Sequence, residues 1–365
     1  MIKLSSFDTQ PAAKYARVQL LDGSGGAVQA KGQAYFMGRT FPRWEQGAGQ
    51  LVEAVLRGGT RMRMRVTGTA SLGMRYVGSP KTSALDVFVN GARKGSAVSL
   101  TAGSSTFSGA SLLTDLDPAL TYDVELRVRG VDQYQDRWMK GEGLHVHSFY
   151  GDGGKAGKIA PWIDRRAKML FYGDSITDGV IARAATDLPL NAAGDVSWPT
   201  LSAEALDLQA IVNGFGGQGL TVASSTGIPK LSDAAFLYMN GRPIDTVEEN
   251  ARYVVVNIGT NDGLQSVGNS TFQTAYRAFL QSLLKAHPGA ERFFCMRPFG
   301  GYYEAQISAA VAAMGDPRFV YINTSGWTGI TFTDEVHLNI PGHASAATQF
   351  AAAALTSMSV PASMV

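Results

Sequence analysis

At 365 residues the chain is longer than one average domain and comfortable for two. Its 45% hydrophobic and 17% charged residues, with 42 glycines, describe a turn-dense folded protein and exclude a disordered or fibrous one. A net charge of +2 with no sustained basic stretch argues against nucleic acid as a partner, and a single cysteine excludes an internal disulfide or a cysteine-based metal site.

The first residues, Met1-Ile2-Lys3-Leu4-Ser5-Ser6-Phe7, lack the apolar core of a signal peptide, and no later stretch reaches the ~18 apolar residues of a membrane span. The chain therefore reads as soluble, with no membrane partner. A cleaved leader replaced by an initiator Met would look the same, so a cytoplasmic and an exported protein both fit. Nothing in the sequence speaks to the oligomeric state.

Up to about residue 150 the chain reads as strand after strand. The runs at 61–66, 85–89 and 122–129 alternate in character with period two, each wanting one buried face. Asn90-Gly91 follows the second of them and suits a type I′ hairpin turn. A helix is expected only at 50–56, so residues 1–150 are expected to form an antiparallel β-sandwich of jelly-roll type. Residues 151–164, opening Gly151-Asp152-Gly153-Gly154, have the composition of a linker.

From 165 to 365 the period changes. Short apolar runs at 169–172, 210–212, 253–256, 293–296 and 319–322 alternate with helical stretches at 271–286, 303–314 and 341–358. Buried strands separated by helices predict an α/β domain, a parallel sheet covered on both faces, with ligands at the carboxyl ends of its strands. Cys295, inside one of these runs, reads as a small buried thiol.

Four features fall at those strand ends or near the C-terminus. In Gly173-Asp174-Ser175-Ile176-Thr177-Asp178-Gly179, a strand runs into a glycine turn that would expose the Ser175 hydroxyl, a nucleophile if a base removes its proton. Asn213-Gly214-Phe215-Gly216-Gly217-Gln218-Gly219 has little side-chain bulk, so its backbone N–H groups are approachable and can stabilise an oxyanion. In Gly259-Thr260-Asn261-Asp262, Asn261 is a neutral amide just past a buried strand and a second donor to that oxyanion. In Asp334-Glu335-Val336-His337, the three-residue separation brings a carboxylate to the imidazole Nδ1, leaving Nε2 as the base. Each block alone is also an ordinary turn or a solvated pair. None of the other four histidines has an equally placed carboxylate.

Gly214, Gly216 and Gly219 also satisfy Gly-x-Gly-x-x-Gly, the one indication of a dinucleotide site. That motif should open a helix and lead to a ribose-binding acid about 20 residues on. The stretch that follows, 220–229, is instead rich in Thr, Ser and Gly.

Taken in order, the four blocks resemble those of SGNH/GDSL hydrolases over about 200 of the 365 residues. The resemblance implies a Ser-His-Asp acyl-enzyme mechanism that requires no metal or organic cofactor. Ser175 would be the nucleophile, His337 the base and Asp334 its orienting carboxylate, while the Ser175 and Gly217 N–H groups and the Asn261 amide would form the oxyanion hole. In many members the glycine lies five residues after the Asn of its block, whereas Gly217 lies four after Asn213, so Gly216 is an alternative. The Gly-x-Ser-x-Gly elbow of α/β-hydrolases is absent, since Thr177 holds its last position.

A β-sandwich followed by such a domain is similar in layout to carbohydrate esterase family 2, which implies a short acyl ester or an acetylated saccharide as substrate. Trp138, Trp162, Trp198, Tyr302, Tyr303 and Trp327 are candidates to stack on sugar rings or to pack the core. A lipid esterase or thioesterase would use the same residues, and a non-catalytic carbohydrate-binding protein would keep the sandwich.

Overall fold

The computed structural model describes residues 58–78, 81–101, 108–135, 137–138, 143–152, 158–161, 165–237 and 250–358, together with the strand backbones at 19–21, 35–37, 41–44 and 52–56. Within the described residues of the N-terminal part, strands run in the order β1 (Gln19–Leu21), β2 (Tyr35–Met37), β3 (Phe41–Trp44), β4 (Val52–Leu56), β5 (Arg61–Thr67), β6 (Leu72–Val77), β7 (Ser83–Val89), β8 (Ala92–Arg93), β9 (Val98–Leu100), β10 (Ser108–Leu113), β11 (Thr121–Val128), β12 (Leu144–Tyr150) and β13 (Lys158–Pro161).

They form two sheets, one ordered β10-β6-β12-β4-β3 and the other β13-β5-β11-β7-β8. Period-two burial explains the pairing. Met62, Met64 and Val66 of β5 point inward with Leu85 and Val87 of β7 and Val124 and Leu126 of β11, and they meet Leu72, Met74 and Tyr76 of β6 and Val146 of β12 in one core. Pairing is antiparallel except for β1, which runs parallel to β12. Asn90 and Gly91, both at positive φ, turn the β7–β8 hairpin.

Two expectations are corrected here. Residues 52–56 form a strand, not a helix, because the chain there pairs with β3 on one side and β12 on the other. The segment expected as a linker contains β13, which pairs with β5 from Lys158 to Pro161 and extends the sandwich; residues 153–157 and 162–164 of that segment lie outside the described residues.

Beyond it, β14 (Lys168–Gly173), β15 (Gln209–Gly214), β16 (Ala251–Asn257), β17 (Arg292–Met296) and β18 (Phe319–Ile322) form a parallel sheet in the order β15-β14-β16-β17-β18. These strands are buried on both faces, so alternate residues enter different cores. Leu170, Tyr172, Val254, Val256, Phe293 and Cys295 face the helices at Asn269–Ala286 and Glu304–Ala312. Met169, Phe171, Val255, Phe294 and Met296 face those at Trp198–Ala205 and Ile340–Met358. His343, at the start of the last helix, accepts a hydrogen bond from the Trp198 amide on Nδ1 at 3.1 Å and so caps the facing helix where Ser197 does not. Burial holds His343 neutral, its basicity pushed down to about 3. Among the described residues, no helix is long and apolar enough to cross a membrane.

The strand order places a topological switch point at β14 and β16. The chain leaves β14 for β15 on one side and returns to β16 on the other, so the loops after these strands diverge and leave a crevice at their carboxyl ends.

Candidate active site

Gly173, the last residue of β14, is in register with Gly214 of β15 and Asn257 of β16. The chain doubles back over these strand ends so tightly that side chains there have no room. A Cβ on Gly173 would collide with the Thr177 side chain, and one on Gly214 would lie 2.7 Å from the Asp174 carbonyl. The turn opens a one-turn helix, Ser175–Asp178, capped at its start by Asp174, whose carboxylate accepts from the Ile176 amide at 3.0 Å, and at its end by Gly179 at φ 79°. Ser175 is thereby held at the crevice with its side chain only slightly exposed, 6%.

His337 reaches this serine from the loop before the last helix. Leu338 plugs that loop into the core with no exposure, Phe332 and Leu338 form a β-bridge, and the Thr333 amide donates to the His337 carbonyl at 2.8 Å. Nε2 of His337 lies 2.8 Å from Ser175 Oγ, and Nδ1 lies 2.9 Å from Asp334 Oδ2. The other oxygen of Asp334 accepts from the amides of Val336 and His337 at 2.8 and 2.6 Å. Partial burial works against the Asp334 charge, but the His337 amide and imidazole outweigh it and hold this carboxyl below its usual range. The carboxylate therefore stays ionised and aimed at Nδ1, which sets the tautomer that leaves Nε2 facing Ser175.

The glycine loop and the Asn261 block meet beside Ser175. The short helix Thr260–Leu264 presents Asn261, whose amide nitrogen donates to the Gln218 carbonyl at 2.9 Å, next to Gly217. That amide has a second N–H. Gly217 itself takes φ +73°, a left-handed conformation that turns the loop and suits glycine. Asp262, fully buried, accepts from the Leu220 and Thr221 amides at 2.7 Å each and from the Thr221 hydroxyl at 2.6 Å, so it anchors the far end of the loop.

Ser175, His337 and Asp334 are thus joined by hydrogen bonds, and Asn261 is joined to the loop that carries Gly216 and Gly217. Anchoring by Asp262 was not expected from the sequence, where Asn261-Asp262-Gly263 has the composition of a simple turn. Asp178 was not expected to be buried either; it sits in the nucleophile helix and accepts from Gln133 of the sandwich at 3.0 Å. The Gly-x-Gly-x-x-Gly reading fails on its context, because Gly219 is followed by bends and turns and the next helix, Leu231–Ala234, has only four residues.

Several of the candidate aromatics are core residues. Trp198 has no exposure and packs edge-on against Phe171, Tyr303 stacks on Phe272 at 3.8 Å, and Trp138 packs edge-on against Phe215 at 6.0 Å. Tyr302 lies partly buried over Gly263 and Trp327 partly buried near Phe299, while Trp162 lies outside the described residues. Cys295 is buried as expected, and burial pushes its thiol up to about 12, which keeps it protonated and inert.

Residues 171–345 match the GDSL-like Lipase/Acylhydrolase family. No curated protein matches the chain in sequence. Among solved structures, the chain is similar to an active-site mutant of a family two carbohydrate esterase from Clostridium thermocellum bound to a cello-oligosaccharide, with a TM-score of 0.73, 19% identity, and coverage of 89% of this chain and 98% of that one. It is similar to a family two carbohydrate esterase from Cellvibrio japonicus, with a TM-score of 0.72, 21% identity and coverage of 89% and 95%. It is also similar to the acetyl xylan esterase Est2A from Butyrivibrio proteoclasticus, with a TM-score of 0.68, 17% identity and coverage of 92% and 98%. At these identities the likeness is one of fold, and it extends over both parts of the chain.

Proposed function

We propose that the chain, whose residues 171–345 match the GDSL-like Lipase/Acylhydrolase family, is a serine esterase that removes short acyl groups, acetyl first among them, from carbohydrate. The observation that carries this reading is the relay of 2.8 Å from Ser175 Oγ to His337 Nε2 and 2.9 Å from His337 Nδ1 to Asp334. In the proposed reaction His337 takes the Ser175 proton as the hydroxyl attacks the ester carbonyl. The oxyanion is held by the Ser175 and Gly217 N–H groups and the free N–H of Asn261, with Gly216 the alternative to Gly217. His337 then returns the proton to the leaving alcohol, and water repeats the sequence on the acyl-enzyme. Residues 165–365 form the hydrolase domain in this reading. Residues 1–150, continued by β13, form a sandwich of jelly-roll type.

The saccharide carrier is supported by the ligand-bound and named esterases of the same two-part fold. A second reading, a lipid esterase or thioesterase, is favoured by exposed apolar side chains near the site, Leu264 at 53% three residues after Asn261 and Phe332 at 36% bridged to the neighbour of His337. A series of acyl chain lengths separates the two, since a deacetylase falls steeply beyond propionyl and a lipid esterase does not.

Ser175→Ala is expected to abolish hydrolysis of p-nitrophenyl acetate while the circular dichroism spectrum is unchanged; retained turnover would contradict the assignment. Fluorophosphonate labelling of Ser175 is expected in the parent protein, and its absence would favour a non-catalytic carbohydrate-binding protein. Release of acetate from a panel of acetylated sugars and polysaccharides then identifies acyl group and carrier together.

A further inference from the structure

The segment after β11 leaves the sandwich and ends on the hydrolase site. Val131 is buried in the sandwich core, whereas Trp138 belongs to a separate cluster with Phe215 of the glycine loop, Ile228 and Ala234. Between these anchors, Gln133 and Arg137 are 6% and 1% exposed, although both are polar. Gln133 donates from Nε2 to Asp178 Oδ2 at 3.0 Å, and the Arg137 guanidinium lies 3.6 Å from the same oxygen. Asp178 is the last residue of the helix that starts with Ser175, and it is itself 3% exposed.

The same two side chains also touch the glycine loop. A Cβ on Gly216 would lie 2.5 Å from Gln133 Oε1 and 3.8 Å from Arg137 Nη2, so the loop backbone rests directly on the Gln133 amide. The Arg137 guanidinium lies over the Phe215 ring at 5.2 Å. One amide of this segment thus contacts the Ser175 helix through its nitrogen and the glycine loop through its oxygen. Its nitrogen is hydrogen-bonded to Asp178 and its oxygen is packed on Gly216, so one planar amide lies wedged between the two elements.

From this we infer that Gln133 and Arg137 are positioning residues for the proposed hydrolysis, fixing the oxyanion loop at 215–217 against the Ser175 helix through Asp178 and Gly216. The inference rests on the esterase reading above and gives the sandwich a part in catalysis beyond carrying substrate. Stabilisation of an oxyanion depends on donors held at the place where charge develops, and a displacement of about 1 Å by a residue away from the reacting atoms can cost roughly a hundredfold in rate.

The experiment uses the full chain and p-nitrophenyl acetate. Gln133→Met keeps the volume but removes the hydrogen bond to Asp178 and replaces the amide oxygen packed on Gly216. It is expected to lower kcat by about tenfold to a hundredfold with KM changed by less than about twofold, and to slow fluorophosphonate labelling of Ser175 in step, because the phosphonyl oxygen occupies the same donors. The shape of the pH–rate profile is expected to stay as in the parent, and the thermal midpoint to fall by no more than a few degrees for the one buried hydrogen bond lost. The paired exchange Gln133→Glu with Asp178→Asn reverses the polarity of the hydrogen bond and leaves Arg137 a carboxylate, so it is expected to recover much of the activity that either single change loses. Parent-like kcat for Gln133→Met, a loss that only tracks the folded fraction, or a paired exchange no better than the worse single variant would each overturn the inference. Failure of the esterase reading looks different, since Ser175→Ala would then turn over as fast as the parent.

Discussion

Asp174 and Asp334 flank the proposed nucleophile and base, and their surroundings push them in opposite directions. Asp174 is fully buried, and burial raises its carboxyl to about 6 against the pull of the Ile176 amide and of a charged His337. Its folded value thus lies above its ordinary one, so its contribution to stability is present below about pH 4 and is lost as pH rises through about 6. Asp174→Asn is therefore expected to be more stable than the parent at about pH 8, with the difference closing below about pH 4; a difference in urea midpoint that does not change with pH would contradict this. Asp334 is held low by the His337 amide and imidazole, so the His337 pairing persists as pH falls until Asp334 itself takes up a proton. Asp334→Asn leaves the loop its acceptor but frees the imidazole to adopt the wrong tautomer, and a loss of about 10²–10⁴ in kcat is expected from steady-state assays.

Among the elements, the glycine loop depends on support from residues distant in sequence. Its far end is tied down by Asp262, whose carboxylate holds two amides and a hydroxyl, and Gly219 leaves the space that lets it approach. Asp262→Ala strands the Leu220 and Thr221 amides without an acceptor, and a loss of about 2–4 kcal/mol is expected in urea unfolding. The helix Asn269–Ala286 was legible in advance, because Phe272, Tyr276, Phe279, Leu280 and Leu283 fall on one face at helical spacing. Strand β4 was not. Val-Glu-Ala-Val-Leu carries no clear period, and its two antiparallel neighbours lie on either side of it in the sheet, one of them about 90 residues further along the chain.

For the molecule as a whole, the sandwich and the parallel-sheet part share charged and backbone contacts. Arg61 and Arg127 of the sandwich both reach Glu204, at 2.9 and 2.6 Å, and Arg61 is 2% exposed. Glu125 completes the group; burial opposes its charge, but Arg61, Arg127 and Arg63 outweigh it and hold it at about 2. The Gly194 amide donates to the Arg129 carbonyl at 2.8 Å, and a Cβ on Gly194 would collide with the backbone of Gly59. Glu204 is part-exposed and Glu125 remains beside both arginines, so loss of Glu204 weakens the group without stranding a charge. Glu204→Ala is accordingly expected to lower the thermal midpoint by a few degrees. The parent is expected to melt in a single calorimetric transition, and two resolved transitions would contradict the shared interface.

The amino-acid sequence by itself determined which short blocks are candidates for the proposed site, and where a strand-only pattern gives way to alternating strands and helices. Gly-Asp-Ser in a turn and Asp-x-x-His in a loop act over three residues, and buried strands and amphipathic helices repeat with their own periods, so each is written in adjacent residues. Tertiary structure alone decided that Trp198, Tyr303 and Trp138 are core and that a strand lies in the expected linker. It also decided that Gln133, Arg137 and Asp178 meet beside the site. Gln133 and Asp178 are 45 residues apart, and a polar contact over such a separation leaves no local pattern; it exists only because the sandwich packs against the loop after β15.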